Sequence, residues 1–386
     1  MMSKRMFWSR RAFFSPLIVL VMMSVALLAS ASTASAATVG NDVQVINWHP
    51  ASRISQGLVH AAQAARANGS SQQKIESIPY WASSFTYQGQ SYPYTMVGTN
   101  PAKGSGISVV PTLLVPVKII LPNGAVYNGE SKVRDVLNSP LFRFASFQSG
   151  YTQYGDAIQR AEFWKYVSTK SPFYHVFLLP PVVFPTLTIH VPAGMGNQIT
   201  RPSGVVFGGI DINYLDAQLG TYMQTYHISP RTLPIFLSAN VLGTDVNGTL
   251  CCIGGYHNAI PNATNTAIQT YAYATYNDPG FSVKNPKVFT TTDALSHEIA
   301  EWYNDPFTNN VVPPWSVPTE PQYGCNNALE VGDPLVGVGF DVGKYHLQDE
   351  TFFSWFAHQS PSLGIGGKYT YLGTFTTVAQ TCTLPS

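Results

Sequence analysis

The chain has 386 residues, of which only 11% are charged, with 21 Lys and Arg against 20 Asp and Glu. At 45% hydrophobic and 13% aromatic it has ample material for a large buried core and is not a disordered chain. A formal charge of +1 argues against a nucleic-acid binder, which needs a basic stripe, and four cysteines are too few for a small disulfide-dense scaffold.

In chain order, Lys4, Arg5, Arg10 and Arg11 precede an apolar run from Leu17 to Leu28, and small residues follow to Ala34-Ser35-Ala36. This is the layout of a secretory signal over residues 1–36 with cleavage after Ala36. The run is short of the roughly 20 residues of a spanning helix. Ser9-Arg10-Arg11-Ala12-Phe13-Phe14 also fits a twin-arginine export signal. Without its four basic residues the chain carries 17 basic against 20 acidic, a net of −3. The expected product is secreted, extracellular or periplasmic, with no membrane span in the mature form and no nucleic-acid partner.

Residues 37–78 read as an N-terminal helical arm or pro-segment, with Ser52 capping a helix to Ala67 and Asn68-Gly69 stopping it. Residues 79–386 read as one α+β domain, a mixed β-sheet body with Pro- and Gly-rich loops. Strands are expected from about Tyr80, then over Ser108–Ile120 (broken by Pro111 and Pro116), with a hairpin turn at Asn123-Gly124. Further strands are expected at Phe177–Val191, Gly204–Ile212, Leu233–Leu237 and Thr270–Tyr276. Two helices are expected between them, at Pro140–Phe147 and Thr152–Ser168.

The acids are unevenly spread. Ten of the twenty fall between Asp293 and Glu350, where Lys344 is the one basic residue. Inside that window residues 291–305 read as a helix ended by Asp305-Pro306, with Leu295, Ile299 and Trp302 as its core-facing stripe. His297 and Glu301, four apart, share another face and can hold one ion. Glu298 sits where the zinc-hydrolase pattern H-E-x-x-H places its general base, here with Glu replacing the second His. Carboxylate oxygen is an accepted zinc ligand, and the harder donor set admits another divalent cation. The third ligand is expected from Glu330 in Glu330-Val331-Gly332-Asp333, beyond a loop containing Pro313-Pro314 and Pro318–Pro321.

Gly254-Gly255 before Tyr256-His257 suggests a tight turn presenting both side chains, with His257 or Tyr256 as a transition-state donor or an extra ligand. The remaining histidines, His346 and His358 among them, read as structural. In an exported protein the four cysteines are expected in disulfides. They pair either as Cys251–Cys252 with Cys325–Cys382, or with each of the adjacent pair bonded to one distant cysteine. No G-x-S-x-G elbow, Walker A loop or G-x-G-x-x-G after a strand is present.

His297–Asn310 (HEIAEWYNDPFTNN), the Pro-rich loop, Glu330–Asp333 and Lys344-Tyr345 together resemble secreted bacterial relatives of the EXORDIUM, or phosphate-induced, family. The resemblance covers about 60–90 residues and is weak before Cys251. It implies a zincin-like active-site helix with His297, Glu301 and Glu330 as metal ligands and Glu298 as base. Asp305 and Asp333 would orient those ligands. The expected function is a secreted metal-dependent hydrolase, foremost a zinc endopeptidase acting on protein or peptide, with Glu298 activating the water. The alternative is a non-catalytic cell-wall or carbohydrate-binding protein that uses exposed Tyr and Trp and holds a structural ion.

Overall fold

The computed structural model describes residues 37–38, 59, 75–200, 204–245, 251–279 and 289–384. The expected export signal and the helix from Ser52 to Ala67 lie outside the described residues, apart from Val59, which is helical and buried. The fold is mixed α+β, with many short strands and few helices.

The elements that build the centre are, in chain order, strand β1 (Thr112–Ile120), helix α1 (Tyr154–Glu162), helix α2 (Ile212–Thr225), strands β2 (Leu233–Ala239), β3 (Gly255–Pro261) and β4 (Ile268–Tyr276), helix α3 (Asp293–Asn304) and strand β5 (Tyr345–Gln348). Strands β1, β2 and β4 lie side by side and parallel, and β3 closes the edge antiparallel to β4. Parallel strands covered on both faces read as continuous apolar runs, and every residue of β2, LPIFLSA, is buried. Alternate side chains divide between two cores. Leu233, Ile235 and Leu237 pack with Leu295, Ile299 and Trp302 of α3, whereas Phe236 packs with Leu215 and Leu219 of α2.

The prolines of the Ser108–Ile120 run act differently from one another. Pro111 separates Ile107–Val110, which pairs with His175–Leu178, from β1. Pro116 stays inside β1, where the outer neighbour is interrupted: Val182–Val183 pairs with Leu113 and Leu114, and Leu187–His190 pairs from Val117 onward. A residue without an N–H is tolerated where no ladder bond is required. The single strand expected over Phe177–Val191 is therefore several short ones, cut at Pro180-Pro181 and Pro185. Asn123-Gly124 does turn β1 back into Val126–Asn128, with Gly124 at φ 83°.

Three further expectations for these elements need correction. No helix forms over Pro140–Phe147. Ser139 turns its hydroxyl back to the Val136 carbonyl instead of capping forward, and residues Ala145–Phe147 form a strand. The Thr152–Ser168 helix breaks at Phe163 into α1 and Trp164–Val167. Pro313-Pro314 lies in the strand Val311–Ser316, not in a loop, paired irregularly with Asn326–Ala328. Helix α2 was not expected. Asp211 ends one strand and at once caps this helix, its carboxylate accepting the Tyr214 N–H at 2.7 Å, so no turn residues announce it.

The cysteines are bonded as Cys251–Cys252 and Cys325–Cys382. Among the described residues no helix is long and apolar enough to cross a membrane.

Candidate metal centre

Helix α3 supplies three polar side chains from one stretch. Leu295, Ile299 and Trp302 bury its apolar stripe, which turns His297, Glu298 and Glu301 toward β3 and the segment after Leu329. Asp305 ends the helix, its N–H bonded to the Glu301 carbonyl at 2.6 Å. Its carboxylate is held by the N–H groups of Asn309 and Asn310, at 3.0 and 2.9 Å.

Strand β3 brings in His257. Gly254-Gly255 leads straight into β3 and makes no tight turn, so Tyr256 and His257 point to opposite faces, as neighbours on a strand must. His257 faces α3, with Nδ1 at 3.6 Å from Glu298 Oε2 and 3.6 Å from Glu301 Oε2. Tyr256 packs on the far side against Tyr271 and Tyr273, so the structure does not bring it to the centre. Gly255 itself lies against Glu298: a Cβ there would meet Glu298 Cγ at 2.6 Å.

On the other side, His297 Nε2 is 3.1 Å from Glu301 Oε2, 3.6 Å from Asp333 Oδ1 and 4.0 Å from Glu298 Oε1. Two sets of potential ligands emerge, each with donor atoms within 4.8 Å of one another: His257, Glu301, Glu330, and His297, Glu301, Asp333. Glu301 is common to both. Glu330 thus groups with His257, and Asp333, expected as an orienting residue, groups with His297. His257, Glu298, Glu301, Glu330 and Asp333 are buried, whereas the His297 side chain is 12% exposed and marks the accessible edge.

The outer hydrogen bonds fix both imidazole tautomers. His257 Nε2 is 3.1 Å from the Asp305 carbonyl, an acceptor, so Nε2 carries the proton. Asp305 thus holds the His257 ring through its backbone carbonyl, not its carboxylate. Gln348 of β5 donates from Nε2 to the Gly332 carbonyl at 2.6 Å, which turns its Oε1 to His297 Nδ1 at 3.0 Å. Nδ1 of His297 is therefore the protonated nitrogen. In the neutral tautomers, His257 Nδ1 and His297 Nε2 present lone pairs to carboxylate oxygens. Lone pairs facing carboxylates repel unless a proton or a cation lies between them.

The electrostatics agree. Burial alone would lower the His257 pKa, but the carboxylates of Glu330, Glu298 and Glu301 raise it to about 10. His297 is likewise carried well above its ordinary value, with Glu301, Glu298 and Asp333 overriding burial. Burial pushes the Glu298 carboxyl up against the pull of His257 and His297, and it raises Asp305 to about 7 with help from Glu330. A field that holds protons on both imidazoles also favours a divalent cation.

Sequence reasoning missed three residues here. Gln348 has no spacing signal. Gly332 is required because a Cβ would meet the His297 ring at 2.5 Å, and its N–H bonds Glu301 Oε1 at 3.1 Å. Tyr323, two residues before the Cys325–Cys382 bridge, lies beside Asp333; burial, then Asp333 and Glu301, push its phenol well above the ordinary range. Comparison with family models, with curated proteins and with solved structures finds no match to this chain.

Proposed function

We propose that the chain is a secreted metal-dependent hydrolase, foremost a zinc endopeptidase, with a zincin-like helix α3. The observation that supports it most is the arrangement on that helix. His297 and Glu301 meet at 3.1 Å with Asp333 beside them, and Glu298 has an oxygen at the same edge. The donor set fits a zinc ion. It combines one imidazole nitrogen with carboxylate oxygens, and buried Glu298 Oε2 makes no hydrogen bond. The resemblance of HEIAEWYNDPFTNN to secreted bacterial relatives of the EXORDIUM family supports the same reading.

His297, Glu301 and Asp333 would hold the ion at the accessible edge. Bound there, zinc would supply a Lewis acid that polarises a scissile carbonyl and acidifies water. The chain's own groups do the rest. Gln348 keeps the His297 ring in register and its proton on Nδ1. Gly332 N–H fixes one oxygen of Glu301 and leaves the other for the ion. Glu298 takes a proton from the attacking water and returns it to the leaving amine, a role suited to a carboxyl whose pKa burial has raised. Replacing Glu298 by Gln preserves shape and removes the base. The variant should retain metal and lose roughly 100-fold or more of its activity on a casein-type substrate. Full activity in that variant would overturn the assignment.

The burial of His257, Glu298, Glu301 and Glu330 favours a second reading, in which a closed ligand shell holds a structural ion in a non-catalytic surface-binding protein. Among the described residues no tryptophan is exposed, with Trp81, Trp302, Trp315 and Trp355 buried and Trp164 half-buried, whereas Tyr151 and Tyr226 are exposed. A chain that binds metal but cleaves no protein, with or without Glu298, would favour it.

A further inference from the structure

The two ligand sets differ in depth, and neither contains both histidines. Among the described residues, His257 groups with Glu301 and Glu330, and His297 with Glu301 and Asp333. A single ion about 2.0–2.2 Å from each ligand draws its donor atoms to within roughly 4.4 Å of one another. Two imidazoles that share no set within 4.8 Å therefore do not serve one ion in this arrangement. Each has its own oriented lone pair: His257 is fixed by the Asp305 carbonyl and His297 by Gln348. Each also has its own further carboxylate.

The link between them is specific. Glu301 Oε2 is the same atom that stands 3.6 Å from His257 Nδ1 and 3.1 Å from His297 Nε2. Glu298 spans the same gap, with Oε2 3.6 Å from His257 Nδ1 and Oε1 4.0 Å from His297 Nε2. Its Oε2 is buried, makes no hydrogen bond and points into the cluster. Glu298, Glu301, Glu330 and Asp333 are four buried carboxylates around two imidazoles, and buried Asp305 and Glu350 add to the same negative field.

We infer that the centre holds two divalent cations bridged by Glu301, an outer one at His297 and Asp333 and a second, deeper one at His257 and Glu330. This rests on the metal-binding part of the proposed function and adds a site to it. A carboxylate-bridged pair about 3.5–4 Å apart is the usual spacing of two-cation centres. The deeper cation, closed off by protein, would hold Glu301 and Glu298 in place for the outer one.

The test is metal stoichiometry on the purified exported chain loaded with Zn2+ and, separately, Mn2+, followed by removal of loose ions and elemental analysis. Two ions per chain are expected. Glu330→Gln and Asp333→Asn should each hold one, and Glu301→Gln should weaken both by more than tenfold in a calorimetric titration. Anomalous scattering at the zinc edge should show the remaining ion at His297 in the first variant and at His257 in the second. One ion per wild-type chain would overturn the inference while leaving a one-metal hydrolase intact, and two ions retained by Glu330→Gln would overturn the placing of the deeper ion. If wild type holds neither cation, the metal reading itself fails, and the deeper site with it.

Discussion

Two buried acid–histidine clusters in this molecule look alike in composition and behave differently. At the start of α1, Asp156 is fully buried and satisfied on every side. Its carboxylate accepts from Thr152 Oγ1 at 2.6 Å, from Val176 N–H at 2.7 Å and from His175 Nδ1 at 2.8 Å. In the α3 cluster, Glu298, Glu301, Glu330 and Asp333 surround the imidazoles of His257 and His297, and Glu298 Oε2 makes no hydrogen bond. A carboxylate ringed by donors is a fastener that ties β-strand to helix. The carboxylates that share two imidazoles on α3 are the arrangement on which the proposed metal site rests. The hydrogen bonding of each carboxylate separates the two clusters, where the presence of His and Asp does not.

The contrast can be broken most sharply at Glu301. Glu301→Gln should lower zinc affinity and hydrolytic activity by about 100-fold or more, yet leave the metal-free chain at least as stable, because it removes one crowded charge. Calorimetry and denaturant melts of the metal-free chain check both halves. Asp156→Ala should do the reverse, costing about 2–4 kcal/mol of stability by leaving the Thr152 hydroxyl and the Val176 N–H buried and unpaired, with zinc affinity unchanged in the molecules that remain folded.

A third test uses pH away from both clusters. Burial raises the Glu162 carboxyl to about 8, although the Phe353 N–H bonded to it pulls the other way. Because the folded value lies above the unfolded one, the stability it lends is complete below roughly pH 4.5 and is lost as pH rises through about 8. Wild type should therefore lose on the order of 3 kcal/mol between pH 5 and 8 relative to Glu162→Gln. Parallel curves for the two proteins would show that Glu162 ionises normally. The smallest effect is expected at Gln348. Gln348→Ala frees the His297 ring and should weaken zinc binding by about 10- to 100-fold with little change in fold, read by competition with a chelating dye.

Helix α3 was legible because its signals are local: an apolar stripe at Leu295, Ile299 and Trp302, a proline stop at Pro306, and His297, Glu298 and Glu301 at fixed helical offsets. The central strands were legible for the same reason, as runs of branched and aromatic residues. What the sequence hid was decided by distant pairing. Glu330 and Asp333 flank Gly332, three residues apart, and only the folded chain shows that they group with different histidines. Gln348 reaches His297 because β5 packs beside α3, a neighbour no spacing announces. Tyr256 was misjudged for a simpler reason. Once residues 255–261 are a strand and not a turn, alternation allows only one of Tyr256 and His257 to face the helix.

On the proposed reading, the α3 cluster holds divalent metal for hydrolysis. The most direct measurement is proteolysis of a casein-type substrate by the purified chain before chelation, after exhaustive chelation, and after zinc is restored, with metal content recorded at each stage. The account predicts metal in the purified chain, activity lost on chelation and regained with zinc. A metal-free chain, or cleavage indifferent to the chelator, would contradict it.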